Sequence, residues 1–409
     1  MKKTALKNYA KLLARVGLNV KKGQEVIIRA ELDQPEFVKM VVEECYKAGA
    51  KDVTVEWSYQ PLSKINVRYR SLKTMSTIED WQLEKLKYRT KTLPCMLHIS
   101  SADPDGLKGI NQEKMTKASR ALYPIQKPYI DEMDCKYQWC IAAVPGEAWA
   151  KKVFPGMRTS AAVEKMWEAI LKTSRADGDD PIAAWNEHNE NLKKKFDYLN
   201  SLSIKSLHYT SSNGTDLKVG LIPGAQFMGG GENALGSGIF FNPNIPSEEI
   251  FTTPMRGKAE GIVYSAKPLS YRGELIENFS VRFENGKAVE VKAEKNEELL
   301  KTMISMDENA GYLGEVALIP YNSPINDTGI LFYNTLFDEN ASCHLALGRG
   351  FKNVLPGYEN MSEEELLEKG INNSMIHVDF MIGSKDLSIA AETFDGKTID
   401  IFKDGNWAF

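Results

Sequence analysis

The chain changes its hydrophobic rhythm about halfway along. In the first half, short apolar runs alternate with stretches of helical period. QEVIIRA at 24–30, KDVTVEW at 51–57, LPCMLHIS at 93–100 and QWCIAAV at 138–144 predict strands. Between the first two, Phe37, Val38, Val41, Val42 and Cys45 fall on one helical face. Asp33 and Pro35 open that helix, and Gly49 lies just past its end. Strand–helix–strand alternation predicts a mainly parallel sheet covered by helices. RADGDDP at 175–181 caps a long amphipathic helix running to about Asn200, with Ile182, Trp185, Leu192 and Phe196 on its apolar side.

Beyond that helix the period shortens to two. Asn213-Gly214 separates two alternating runs, and Asn285-Gly286 separates another pair, so both predict tight hairpins. A short helix is expected at 296–306, and no repeat of fixed period is present. The fold class is therefore α/β, divided near the long helix. Residues 1–195 make an N-terminal α/β domain with a mainly parallel sheet, and 196–409 a C-terminal β-rich α+β domain. A length of 409 residues suits roughly two domains of about 150–200 residues.

Composition narrows the function classes. With 43% hydrophobic and 26% charged residues the balance is that of a globular protein, neither disordered nor fibrous. A net charge of −4 provides no basic footprint for nucleic acid or an anionic membrane. No apolar run approaches the roughly 20 residues of a membrane span. The opening MKKTALKNYAKLLARV is broken by Lys7, Asn8 and Lys11, which reads as an amphipathic helix rather than a signal peptide. Five cysteines, with no CxxC pair, suggest reduced thiols and a cytoplasmic protein.

Five histidines carry most of the candidate chemistry. His188 reads as a packing or surface residue, His208 as solvent-facing on a hairpin strand, and His98 as the end of a strand that could line a crevice. His344 and His377 are different because carboxylates surround them. In HVDFMIG, His377 and Asp379 project from the same strand face into apolar company, which is costly unless something binds them. His344 follows Asp338 and Glu339 in TLFDENASCHLALG. Imidazole and carboxylate are ligands for zinc, cobalt, manganese or iron. Two histidines with one carboxylate satisfy one metal, and more carboxylates allow two. A buried His–Asp hydrogen bond that stiffens the sheet accounts for the pair equally well. The glycine-rich FMGGGENALGSG at 227–238 matches neither GxGxxG nor a P-loop, and GxSxG and HExxH are absent. Cys343 beside His344 reads as an inert thiol, and EEELLEK at 363–369 as a solvated helix face.

Four stretches in order, NPNIPSEEIFTTP, GEVALIP, TLFDENASCHLALG and HVDFMIG, resemble the aminopeptidase T, aminopeptidase S and PepS family of metallo-aminopeptidases. The resemblance extends over nearly the whole chain. It implies hydrolysis of N-terminal residues from peptides with a free N-terminus, by water activated at two divalent metal ions per chain (zinc, cobalt, manganese or magnesium). It places the metal site in the C-terminal domain, with Glu249, Glu315, Glu339, His344, His377 and Asp379 as ligands. Glu315 and Glu249 are the candidates for catalytic proton transfer, and Glu248 is left as a solvated or amine-binding carboxylate. A homodimer with enclosed active sites is implied too. One departure is visible: where the resemblance leads one to expect a tyrosine seven residues after His344, this chain has Phe351, with Tyr333 and Tyr358 as possible substitutes. Two other readings fit the same residues. His344, His377 and Asp379 could form the facial triad of a mononuclear non-haem iron oxygenase, or the site could belong to a non-catalytic metal-binding protein.

Overall fold

In the computed structural model, which describes residues 3–409, the four runs of the first half become one parallel sheet. Met1 and the Lys2 of the expected N-terminal helix lie outside the described residues. Glu25–Glu31 and Cys95–Ser100 occupy the centre, with Asp52–Ser58 and Trp139–Ala143 at the edges. Val26, Ile28, Ala30, Leu97 and Ile99 on one face are almost fully buried, which anchors the sheet.

Helix Pro35–Ala48 begins at its proline and stops at Gly49, whose φ of +112° suits a residue without Cβ. Its N-cap position is Gln34, not Asp33. The Asp33 carboxylate instead accepts the Ser101 hydroxyl at 2.7 Å, a tertiary contact that outcompetes the local cap. Helices Gln60–Tyr69, Asp80–Thr92 and Gln112–Met133 fill a stretch whose hydrophobic period is weak. The middle one buries only Arg89.

The chain forms two compact units. The first runs to His188 and includes Gly231–Ser247, and the second comprises Asn189–Gly230 and Glu248–Phe409. The passage between them falls inside helix Pro181–Ser201. The second unit is antiparallel throughout. Both expected hairpins form, Ile204–Thr210 with Asp216–Leu221 and Glu274–Glu284 with Lys287–Lys295. Asn285 and Gly286 take φ of +50° and +79°, the left-handed pair that a two-residue turn needs. These strands belong to a nine-stranded sheet.

A five-stranded sheet positions the candidate site. Its order is His377–Met381, His344–Gly348, Leu313–Leu318, Ile250–Thr252, Met228–Gly229. Val316, Leu318, Leu345, Leu347 and Phe380 point from one face into the main core of the unit. The alternate residues line the other face, so strands that read as almost uniformly apolar are two-sided. Gly348 lets two of the strands meet: its φ is +106°, and a Cβ there would run into the carbonyl of Ile376.

Gly348→Ala should therefore lower the unfolding free energy by about 3 kcal/mol, through backbone strain and overpacking together. Gly236→Ala, also at positive φ but with open space around it, should lose about 1 kcal/mol from strain alone. Urea denaturation of the two variants beside the parent checks the contrast.

Candidate metal centre

The register of the five-stranded sheet brings the candidate residues to one face. Asp379 stands opposite Ala346, and Ala346 opposite Glu315, in a row across three strands. His377 and Gly348 form the adjacent row, and His344 pairs with Ala317, which in turn faces Phe251. Glu249 precedes Phe251 by two residues and so shares its side. The residues between the charged ones are Ala346, Ala317 and Gly348, small enough to leave space above the sheet.

The polar atoms converge in two groups that share one member. Glu249, Glu315 and His344 form one, and Glu315, His377 and Asp379 the other, with ligand atoms in each group within 4.8 Å of one another. His344 Nε2 lies 3.6 Å from Glu249 and 4.0 Å from Glu315, while His377 Nε2 lies 3.1 Å from Glu315 and 3.2 Å from Asp379. Glu315 and His344 are almost wholly buried, with 3% and 1% exposure. Like charges this close and this dry require a positive partner.

Both imidazoles are oriented by backbone. His344 Nδ1 donates to the Glu339 carbonyl at 2.8 Å and His377 Nδ1 to the Arg349 carbonyl at 2.7 Å. Each ring thereby presents Nε2 to the centre, the arrangement that serves a metal-ligating histidine. A neutral imidazole has only one N–H, yet both nitrogens of His377 face acceptors. The metal-free ring is therefore held as imidazolium. Burial would lower its pKa, but the Asp379 and Glu315 carboxylates raise it well above the usual value. Asp379, despite its burial, is held at about 2 by His377 and His344. Its Oδ1 is buried and, although 3.2 Å from His377 Nε2, makes no well-formed hydrogen bond. A buried carboxylate oxygen without a well-directed donor is an environment that a divalent cation would satisfy, and the nitrogen–oxygen donor set suits zinc, cobalt or manganese.

The remaining residues sort by burial and contact. Glu339 is buried above the same face. Burial first, then the charges of Asp379, Glu249 and Glu315, raises its pKa well above the ordinary carboxylate range. Glu248 is 7% exposed, not solvated. Its backbone N–H donates to Asn340 Oδ1 at 2.8 Å, which tucks the segment inward, and its charge supports the half-buried Lys195 ammonium. Cys343 is buried, and burial pushes its thiol up to about 12, so no thiolate competes. His188 Nε2 donates to the Ser247 carbonyl and its ring packs edge-on to Trp185, while His208 pairs on the surface with Asp216. Phe351 stands with its ring 4.9 Å from that of His377 and 5.2 Å from Phe251. Thr253 fixes it by exchanging hydrogen bonds with its N–H and carbonyl. The carbonyls of Glu339 and Arg349, and the side chains of Asn340 and Thr253, were not expected from sequence, because backbone acceptors and bracing polar groups leave no residue pattern.

Residues 2–407 match a family described as thermophilic metalloprotease (M29). The chain is 42% identical over 408 residues to aminopeptidase AmpS of Bacillus subtilis (strain 168), covering 99% of this chain and 98% of that protein. Among solved structures, wild-type AmpT from Thermus thermophilus is similar with a TM-score of 0.89 and 38% identity over 99% of both chains. A 2,5-dihydroxypyridine dioxygenase from Pseudomonas putida KT2440 is similar at TM-score 0.50 and 12% identity, over 99% of this chain and 97% of the other, a likeness of fold alone.

A cation taking His377 Nε2 as a ligand must displace the proton there. Zinc added to the metal-stripped protein should release protons to the buffer. Affinity should fall as pH drops below the raised pKa of His377, where the imidazolium competes for Nε2. Calorimetry in buffers of different ionisation enthalpy measures both, and zinc binding without proton release would show that the cation sits elsewhere.

Proposed function

The chain belongs to the M29 metalloprotease family and is a metal-dependent aminopeptidase, and we propose that it holds two divalent cations, one at Glu249, Glu315 and His344 and the other at Glu315, His377 and Asp379. The observation that carries this reading is the membership of Glu315 in both groups. Charge supports it: the four carboxylates of Glu249, Glu315, Glu339 and Asp379 balance two dications when both imidazoles are neutral. Zinc, cobalt, manganese and magnesium are the candidates.

Bound divalent metal supplies an activated water and a Lewis acid for the scissile carbonyl. The chain's own residues supply orientation and proton transfer. The carbonyls of Glu339 and Arg349 keep Nε2 of each histidine turned inward. Glu315 or Glu249 accepts the proton of the attacking water and delivers it to the departing amine, a role that needs a carboxylate within reach of both. A spare carboxylate would hold the ammonium of a free peptide N-terminus, which would explain trimming from one end. Phe351 contributes an apolar wall and no proton. Five free cysteines, four of them buried, fit a reducing cytoplasm, and the family resemblance supports a homodimer acting on peptides.

Metal-stripped protein should not hydrolyse leucyl-4-nitroanilide, and refilling with cobalt or zinc should restore turnover to two equivalents per chain. An N-acetylated copy of the substrate should remain uncut. Saturation at a single iron would remove the two-metal assignment. Glu315→Gln should reduce kcat by at least about 1,000-fold.

Phe351→Tyr tests the missing hydroxyl. With the ring already fixed against His377, the added group should raise kcat by roughly tenfold at similar KM, as one more preorganised donor. Equal rates in the two proteins would show that a hydroxyl at this position plays no part.

A further inference from the structure

Parallel sheets normally bury apolar residues on both faces. In the first unit, one face is instead crossed by a charged row. Glu56, Arg29 and His98 stand side by side on three neighbouring strands. Helix Asp80–Thr92 adds Lys85 and Arg89 above them. Glu56 accepts from Arg29 at 3.1 Å, from Lys85 at 2.7 Å and from Arg89 at 2.5 Å, so a single carboxylate serves three cations. The neighbouring His98 is pushed down to about 4, by burial and then by Arg29 and Arg89, so it adds no charge and registers the positive field.

A cavity of about 620 Å³ opens beside this row. Arg29, Lys85 and Arg89 line it, joined by Arg70 at the exposed end of helix Gln60–Tyr69. Arg89 is only 6% exposed, yet its Nε is buried without an acceptor. Four cationic side chains face two carboxylates, Glu56 and the Glu79 at the helix N-cap, which leaves a surplus of two positive charges. Guanidinium groups cannot relieve that surplus by losing a proton. The rest of the lining is mixed, with the apolar Ile78, Leu86, Leu122 and 66%-exposed Trp81 beside the polar Gln82 and Gln126.

We propose that this cavity binds a small organic oxyanion, its phosphate or carboxylate held by Arg29, Arg70, Lys85 and Arg89 and its apolar body against Trp81 and Leu122. Arginine forks match such oxyanions with paired hydrogen bonds, and a planar apolar body stacks on an indole. The site is separate in residues from the metal centre, so its occupancy stands whether or not the two-metal reading does.

The test uses the full-length metal-loaded enzyme, titrated with inorganic phosphate and with phenyl phosphate at ionic strength held constant with potassium chloride. Calorimetry and tryptophan fluorescence are the readouts. Saturable binding of both is expected, with phenyl phosphate tighter by roughly tenfold. Arg70→Ala should weaken both ligands by roughly tenfold while leaving peptidase turnover and melting temperature unchanged. Trp81→Ala should abolish the preference for phenyl phosphate. The proposal is overturned if the parent gives no saturable signal beyond the chloride control, or if Arg70→Ala and Lys85→Ala bind both ligands as the parent does. A preference that survives Trp81→Ala overturns the placement of the apolar body.

Discussion

Mutual repulsion among carboxylates, buried on one face of an antiparallel sheet, is the constraint to which the second unit is built. Glu315 and Asp379 come from strands joined by hydrogen-bonded register, and Glu249 immediately precedes a third, so they cannot move apart without disturbing the ladder. The opposite face of the same strands is locked in the core by Val316, Leu345, Leu347 and Phe380. Hydrophobic burial thus holds in place an arrangement that electrostatics alone would disperse. A cation among these carboxylates would relieve that repulsion.

Small residues make this possible. Ala317, Ala346 and Gly348 sit where larger side chains would fill the space above the sheet, and Gly314 passes so close to the Arg349 carbonyl that no Cβ fits. That carbonyl is the one accepting His377 Nδ1. The same close packing that shapes the strand exchange therefore also fixes a ring orientation. Thr253, with both its bonds on the backbone of Phe351, performs a similar service for the wall beside the histidine.

Much of this was legible in the sequence, for physical reasons. The four parallel strands and both Asn-Gly hairpins announce themselves through dense apolar runs and left-handed turn residues. Helix Asp80–Thr92 does not, because it buries an arginine against a carboxylate where a helix usually buries leucines. Asp33 looked like a helix cap and went to Ser101, a partner 68 residues away that no local pattern reveals. HVDF alone left a metal and a structural hydrogen bond equally open. What favours the metal is the number of carboxylates that the register brings to one place, and register across four strands is not a local property. Glu248 and Glu249 show the same limit: the resemblance favoured Glu249 as ligand, but the inward turn of Glu248 depends on Asn340, far along the chain.

Glu339 joins two roles in one residue. Its carbonyl orients His344, and its carboxyl lies among the metal-site charges. The turn around it is stapled by Asp338, whose buried carboxylate accepts the N–H groups of Phe332 and Asn334. Were cations held there, backbone geometry in residues 332–341 and cation occupancy would be thermodynamically linked. Metal affinity would then be adjustable from outside the coordination sphere: changing the stiffness of one turn would retune it while every ligand stays the same.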